Sequence, residues 1–390
     1  MCLIHSIGGA FTKQPEELNS KLSPKSSDLI KRSFDNIDPH RLIDHHVHIA
    51  GLGVGGTNAF VNRKMLTWRH PFHRLKLKVY MSSAGVSDEN NADPQAAARL
   101  ASLVQSIKDH GKHRLLAFDK NYGKDGSVNL EKTEFYVPNE YVFELAERYP
   151  DLFVPNISVN PYRPDAIAEL EKWARRGARI VKWLPNAMGI DPSDPKCDPF
   201  YEKMKELDLI LLSHGGEEKA VEAEEDQKLG NPLLLRRALD HGVKVIVAHC
   251  AGLGSNEDLD TRDRKQVSNF DLFLRLMDEK RYEGLVFGEL SAMTQFNRSG
   301  NLRTMLARED LHERLVNGSD YPLPAVNLLI RTRPLMKQGY INSAEAESLK
   351  EIYDFNPLLF DFVLKRILKL PGTSRSFPAA IFMTNSTLNA

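Results

Sequence analysis

Cysteine is nearly absent. Cys2, Cys197 and Cys250 are scattered and belong to no paired motif, which excludes a disulfide framework and fits a reducing compartment, the cytoplasm. Long apolar runs are missing too: no window approaches the roughly 18 uninterrupted apolar residues of a membrane span. Residues 1–11 lack the basic start and apolar core of a secretory leader, so none is expected. Net charge is also lacking, since 52 Lys+Arg balance 52 Asp+Glu. Neither nucleic acid nor an anionic membrane is advertised as a partner. No internal repeat or low-complexity tract stands out. What these absences leave is a chain that acts on a small molecule, with homo-oligomerisation left open.

What is present is enough for a large core: 42% of the 390 residues are apolar and 27% are charged. Four apolar runs end on residues that bind metals. Arg41-Leu42-Ile43 leads into Asp44-His45-His46-Val47-His48, residues 209–212 into His214, Val245-Ile246-Val247 into His249, and Leu315-Val316 into Asp320. About one strand-plus-helix unit separates His214 from His249, and about two separate His249 from Asp320. Parallel strands carrying His and Asp at their C-terminal ends have the layout of a metal site at the mouth of a (β/α)8 barrel.

The intervening pattern agrees. Expected strands fall at 42–48, 115–118, 152–159, 178–184, 209–213, 245–248, 285–290 and 315–318. Expected helices between them lie at 96–110, 139–149, 165–176, 199–207, 233–241, 269–278 and 302–308. Such alternation implies parallel pairing through right-handed crossovers. Residues 77–81 resemble a ninth strand but are assigned to a long first βα excursion. A short helix at 29–34, capped from 26–28, precedes the barrel, and an amphipathic helix at 352–368 follows it. The expected architecture is an α/β fold: an N-terminal extension (1–40), a (β/α)8 TIM barrel with a C-terminal helix (41–370), and an aperiodic tail (371–390).

Side chains alternate faces along a strand. This places Asp44, His46 and His48 on one face and leaves His45 on the helix side. A lone His-x-His is weak evidence; joined to His214, His249 and Asp320 at barrel spacing it becomes strong. A bound divalent ion lowers the pKa of its water toward about 7 and polarises a carbonyl. Asp320 would take the proton of that water and hand it to a leaving group, and His249 would donate to developing oxyanion charge or help deprotonate the water. Lys182 ends the fourth strand in phase with Ile180 and Leu184, and Glu289 ends the seventh. Each is a candidate for a second metal or for substrate binding, against the blander reading of an internal ion pair.

The peripheral candidates are weaker. Glycines 51, 53, 55 and 56 suit an anion-binding nest or a plain flexible loop. Arg69, His70 and His73 are first-loop candidates for substrate contact, and Arg163 is one for a substrate carboxylate. Residues 217–226, six of them acidic, read as a solvated helix.

The motifs Asp-x-His-x-His at 44–48, Ser-His-Gly-Gly at 213–216, Ala-His-Cys-Ala-Gly at 248–252 and Gly-Ser-Asp-Tyr-Pro at 318–322 resemble the amidohydrolase superfamily. The similarity is to its amidohydrolase-related branch, which also contains aminocarboxymuconate-semialdehyde decarboxylase, and it runs from about residue 40 to 365. The resemblance implies one divalent ion, usually Zn2+, held by His46, His48, His214 and Asp320. It implies that His249 stands beside the ion's water or binds substrate; in binuclear members that position holds a second metal. A lysine at the Lys182 position is carboxylated and bridges two metals in binuclear relatives, whereas the decarboxylase-like branch commonly lacks the bridge. The expected activity is metal-dependent hydrolysis of an amide, ester or lactone. The alternatives are non-oxidative decarboxylation of an aromatic or unsaturated carboxylate on the same site, and a barrel that binds without catalysis.

Overall fold

The computed structural model describes residues 7, 13–221 and 223–388. Cys2, most of the expected leaderless start and Glu222 of the acidic run lie outside them. Eight parallel strands form the scaffold: β1 (Ile43–His48), β2 (Lys112–Leu116), β3 (Phe153–Asn156), β4 (Ile180–Trp183), β5 (Ile210–His214), β6 (Val245–Ala248), β7 (Val286–Glu289) and β8 (Leu315–Val316). Strands β1 to β3 are paired in sequence order, as are β4 to β8. Two seams join these arcs. Ile157 bridges Val181 in parallel, and Val47 bridges Tyr321. At the second seam His48 N–H donates to Tyr321 O at 2.9 Å and Asp320 N–H to His46 O at 2.8 Å. The ring is therefore complete, a (β/α)8 barrel.

Alternation along the strands sorts the core into two layers. Leu116, Ile180, Ile210, Leu212, Ile246, Phe287 and Val316 meet inside the ring. Their out-of-phase neighbours Leu115, Val181, Leu211, Val245 and Val247 pack under the helices. With both faces buried, the strands need nearly continuous apolar sequence, and β-branched runs such as Val245-Ile246-Val247 supply it. Each buried side chain is worth about 1.5–3 kcal/mol. In the same inward phase, one or two steps toward the C-terminal ends, stand Lys182, His214 and Glu289.

Several elements differ from the sequence expectation. The register of β1 against β2 shifts, with Asp44 opposite His113 and Val47 opposite Leu115. Two residues, His45 and His46, thus oppose the single Arg114, the signature of a β-bulge. Asp44 is thereby placed out of phase with His46, and His45 turns off the helix side. The leading helix starts earlier, at Pro24–Ser33, because Ser23 Oγ accepts Ser26 N–H. Residues 77–81 belong to a helix, Pro71–Ser83, within the first excursion. The single helix expected at 352–368 is two, Ser343–Phe355 and Pro357–Ile367, broken where the Asn356 side chain caps the second and Pro357 occupies its first turn. The acidic run is no solvated helix: a short 3-10 segment covers only Glu224–Gly230, and Glu218 is buried.

The tail has no periodicity but it has a place. Phe377, Ile381 and Phe382 are buried, and Leu388 joins the cluster inside the ring. Asn317 N–H donates to Ile381 O at 3.0 Å and Thr384 N–H to Arg41 O at 2.7 Å. Asn317 directly follows β8, but Arg41 precedes β1, Leu42 bridges Met383 and Asn385 Nδ2 donates to Glu313 O, ahead of β8, at 2.9 Å, so the tail closes the barrel floor. Among the described residues no helix is long and apolar enough to cross a membrane.

Candidate active site

The C-terminal mouth of the barrel holds a cavity of about 300 Å3. His46, His48, Lys182, His214, His249 and Asp320 all line it, together with Glu218 and Arg298 and a mostly apolar wall that includes Tyr80, Phe118, Phe135 and Tyr136. At its base three ligand atoms converge. His46 Nε2 lies 3.1 Å from His48 Nε2, and Asp320 Oδ1 lies 3.4 Å from the first and 3.3 Å from the second.

Protons account for the convergence only in part. Burial, reinforced by Lys182, holds the His46 pKa well below its ordinary value. Its Nδ1 faces Glu289 Oε2 at 3.1 Å, and a carboxylate there assigns the ring proton to Nδ1. Nε2 is then a bare lone pair pointed at a carboxylate oxygen and a second imidazole. Electron-rich atoms this close are what ligands about 2.0–2.2 Å from a shared cation look like. His214 supplies a further sign: its Nε2 is buried without a hydrogen-bond partner among the described residues. The residues present fit a divalent ion.

His214 falls outside the tight cluster that unites His46, His48 and Asp320. Its Nδ1 stands 3.5 Å from Glu218 Oε2, and burial pushes its pKa down to about 3. His249 stacks on His46 with ring centroids 5.1 Å apart, and its Nε2 is 4.0 Å from Asp320 Oδ2. Its Nδ1 meets Ser291 Oγ at 2.6 Å, and that hydroxyl donates to Glu289 Oε2 at 2.5 Å. Burial drives the His249 pKa well down. Although burial alone would raise the Asp320 pKa, the neighbouring His46 and His48 bring it below the usual carboxylate value. Backbone strain gathers here as well: His249, Cys250 and Ala251 have φ of 57°, 48° and 49°, and Asp320 has φ of 62°.

The remaining candidates take different places. Glu289 does not line the cavity, and its oxygens are taken by His46 Nδ1, Ser291 N–H and Oγ–H, and His249 N–H. It is a support beneath two histidines, with ligand atoms of His46, His249 and Glu289 all within 4.8 Å of one another, and it pairs with no lysine among the described residues. Lys182 makes no hydrogen bond or ion pair with the described residues through Nζ, and burial lowers its pKa to about 8. The glycine loop does form a cradle, but the chain fills it itself: Asp93 accepts Leu52 N–H at 2.6 Å, Gly53 N–H at 3.1 Å and the Thr57 hydroxyl. Arg163 is tied to Asp119 and Asp165. Arg69, His70 and His73 are not among the cavity-lining residues.

Sequence reasoning missed Ser291, Glu218 and Arg298. Ser291 had a signal, lying two residues beyond Glu289 in the same strand phase. Glu218 was hidden in the acidic run. Arg298 sits in an irregular loop after β7 and had none.

The family described as amidohydrolase matches residues 43–327. No curated protein matches the chain in sequence. Among solved structures, an uncharacterised TIM-barrel protein from Bordetella bronchiseptica is similar at 15% identity and TM-score 0.47, over 80% of this chain and 99% of that one. The 4-oxalomesaconate hydratase of Rhodopseudomonas palustris is similar at 15% identity and TM-score 0.42, over 83% and 93%. The 5-carboxyvanillate decarboxylase of Sphingomonas paucimobilis is similar at 12% identity and TM-score 0.44, over 81% and 96%.

Proposed function

The chain belongs to the amidohydrolase family, and from that premise we propose that it is a metal-dependent hydrolase acting on an amide, ester or lactone carbonyl of a small molecule. The observation that carries the reading is the convergence of His46 Nε2, His48 Nε2 and Asp320 Oδ1 at 3.1–3.4 Å on the cavity floor. These three, with His214 reorienting its free Nε2 toward them, would hold one divalent ion, zinc by the chemistry of a nitrogen-rich donor set. When bound, the ion supplies Lewis acidity toward the carbonyl and acidifies the attacking water.

The protein's own groups divide the proton work. Asp320 presents Oδ1 to the histidine pair and Oδ2 to His249, so its carboxylate accepts the water proton and returns it to the leaving group. His249, its Nδ1 proton fixed on Ser291, offers an unprotonated Nε2 to the same water or, once protonated, a donor to the oxyanion. The apolar wall excludes bulk water and strengthens each of these interactions.

A second reading, non-oxidative decarboxylation, is favoured by that wall, because a carboxylate stripped of water there loses CO2 more readily. The C–C bond breaks, its electron pair stays on the carbon, and Asp320 or His249 returns a proton. A panel of amides, esters, lactones and aryl carboxylates in 18O-labelled water separates the two. Hydrolysis places one label in the product acid and releases no CO2. Unlabelled product with stoichiometric CO2 overturns hydrolysis in favour of the second reading, and no turnover by metal-replete protein across the panel overturns both.

A further inference from the structure

We propose that one side of the barrel mouth is a docking surface for an anionic lipid bilayer, a role beyond the reaction itself. Large apolar side chains are exposed at eight of the described positions. All eight stand in loops that leave the C-terminal ends of β7, β8, β1 and β2, four strands adjacent in the ring. The loop after β1 carries Leu66, Trp68, Phe72 and Leu75, with Trp68 63% and Phe72 84% exposed. Val128 and Leu130 follow β2, Phe296 follows β7 and Leu328 follows β8. Hydrogen bonds tie neighbouring loops: Asn62 Nδ2 donates to Leu130 O at 3.1 Å, and Phe296 N–H donates to Leu329 O at 2.8 Å. Between these pairs the helix Pro71–Ser83 packs on the turn Leu323–Ala325. Within that helix Leu77 and Met81 are buried, whereas Phe72 and Leu75, three apart, crop out on the opposite side. Single exposed apolar residues are ordinary, but their confinement to one rim marks an interaction site.

Local charge identifies the occupant. Residues 49–87 contain six Lys+Arg and no Asp or Glu, an excess that the balanced whole conceals. Arg74 and Lys78 pair with Glu89, and Lys76 with Glu134. Arg63, Lys64 and Arg69 form no ion pair with the described residues. On the neighbouring rim Arg331 and Arg333 are exposed and also without an ion pair, and the Arg331 guanidinium lies 4.8 Å over the Phe296 ring. The acidic run at 217–226 hangs from β5, across the ring, and Lys132 meets its Glu225 and Asp226 at 3.2 and 3.1 Å. Exposed rings and alkyl groups flanked by free cations have the make-up of an interfacial membrane anchor. The apolar groups enter the headgroup boundary and the cations meet lipid phosphates. A second copy of the chain is a poor occupant, because an isologous contact would set this basic rim against itself. Nucleic acid would use the cations and the rings and leave Leu66, Leu75 and Leu328 in water. Tyr80 and Met81, on the same helix as Phe72, line the cavity, so docking would place the cavity entrance beside the lipid.

Trp68 supplies the probe, since the other two tryptophans, Trp173 and Trp183, are fully buried. Full-length protein is mixed with phosphatidylcholine vesicles, with and without one quarter phosphatidylglycerol, and followed by tryptophan emission and co-sedimentation. On anionic vesicles the emission should shift to the blue and become shielded from acrylamide, and the protein should pellet. Neutral vesicles should bind about 10-fold less or weaker still, and about 0.5 M salt should release the protein. Phe72→Ser with Leu75→Ser, and separately Arg63→Glu with Arg69→Glu, should each lower vesicle affinity by about 10-fold or more. Circular dichroism and metal content should match wild type in both, because the replaced side chains are exposed. No binding to anionic vesicles, equal binding to neutral ones, or binding unaffected by either double variant overturns the proposal. Self-association without vesicle binding, abolished by the Phe72 and Leu75 changes, overturns it in favour of a contact between two copies. Tighter binding to a thymidine oligonucleotide than to anionic vesicles overturns it in favour of nucleic acid.

Discussion

Glu289 Oε2 accepts the Nδ1 proton of His46 at 3.1 Å with both side chains sealed from solvent. One carboxylate thereby decides which nitrogen of a candidate ligand is free. Gly318 guards the contact, since a Cβ there would collide with Glu289 Oε1 and with His46 Cβ.

Glu289→Gln, nearly isosteric, should weaken metal binding by about 10–100-fold, the usual effect of losing a ligand's support. Gly318→Ala should do the same with the carboxylate intact. Competition against a chromophoric chelator measures both. Unchanged affinity in both variants removes Glu289 from the site.

The roles of the ligands separate by metal content. Purified wild type should carry close to one equivalent. His46→Asn should empty the site, because a ligand nitrogen disappears. His249→Asn should keep the metal. Asp320→Asn should retain much of it and lose about 10²-fold or more of its activity, the scale of acid–base catalysis. Elemental analysis beside circular dichroism reads the outcome, and a site emptied by His249→Asn would make His249 a ligand. A value near two, with Lys182 heavier by one CO2, would establish a binuclear centre.

Lys182 gives stability a pH dependence in chelated protein. Burial lowers its pKa from 10.5 to about 8, so between those values the unfolded chain binds more protons and stability rises with pH. Below pH 8 the folded state bears the full cost of the buried charge. Lys182→Met should therefore gain on the order of 3 kcal/mol at pH 7, at 1.36 kcal/mol per pKa unit. The gain should shrink toward zero by pH 10.5. Urea unfolding at pH 7, 9 and 10.5 tests the trend, and a gain independent of pH refutes it.

The tail should matter to the barrel floor. Phe382 is fully buried, so Phe382→Ala should cost about 3–5 kcal/mol in urea unfolding. A loss below 1 kcal/mol would mean that the tail only rests on the barrel.

The barrel and its mouth were legible because buried strands demand apolar runs and the site residues sit where those runs stop. The bulge at His45 and His46 was not, since an extra residue in one strand changes the phase without changing composition. His45 consequently lies buried beside Arg114, which helps burial depress its pKa, and neither ring nitrogen has a hydrogen-bond partner among the described residues. The break at Asn356-Pro357 was written in the chain as a cap followed by a first-turn proline, but apolar periodicity ran across it and hid the signal. The glycine cradle was recognisable as a shape; that Asp93, a residue from another helix, fills it depends on tertiary packing. Arg298 is the same kind of case: only the folded loop after β7 brings it to the cavity wall.

The seam between β1 and β8 has a consequence for how the protein comes into being. Ser319 Oγ donates to His46 O across 273 residues of sequence, and the same seam brings His46 and His48 beside Asp320. Contacts so distant form late, after most of the loop-closure entropy has been spent. During synthesis the first strand emerges long before its partner exists, and metal capture must wait for the ring to close. An ion bound across that joint would then act as a clasp, slowing unfolding more than it speeds folding.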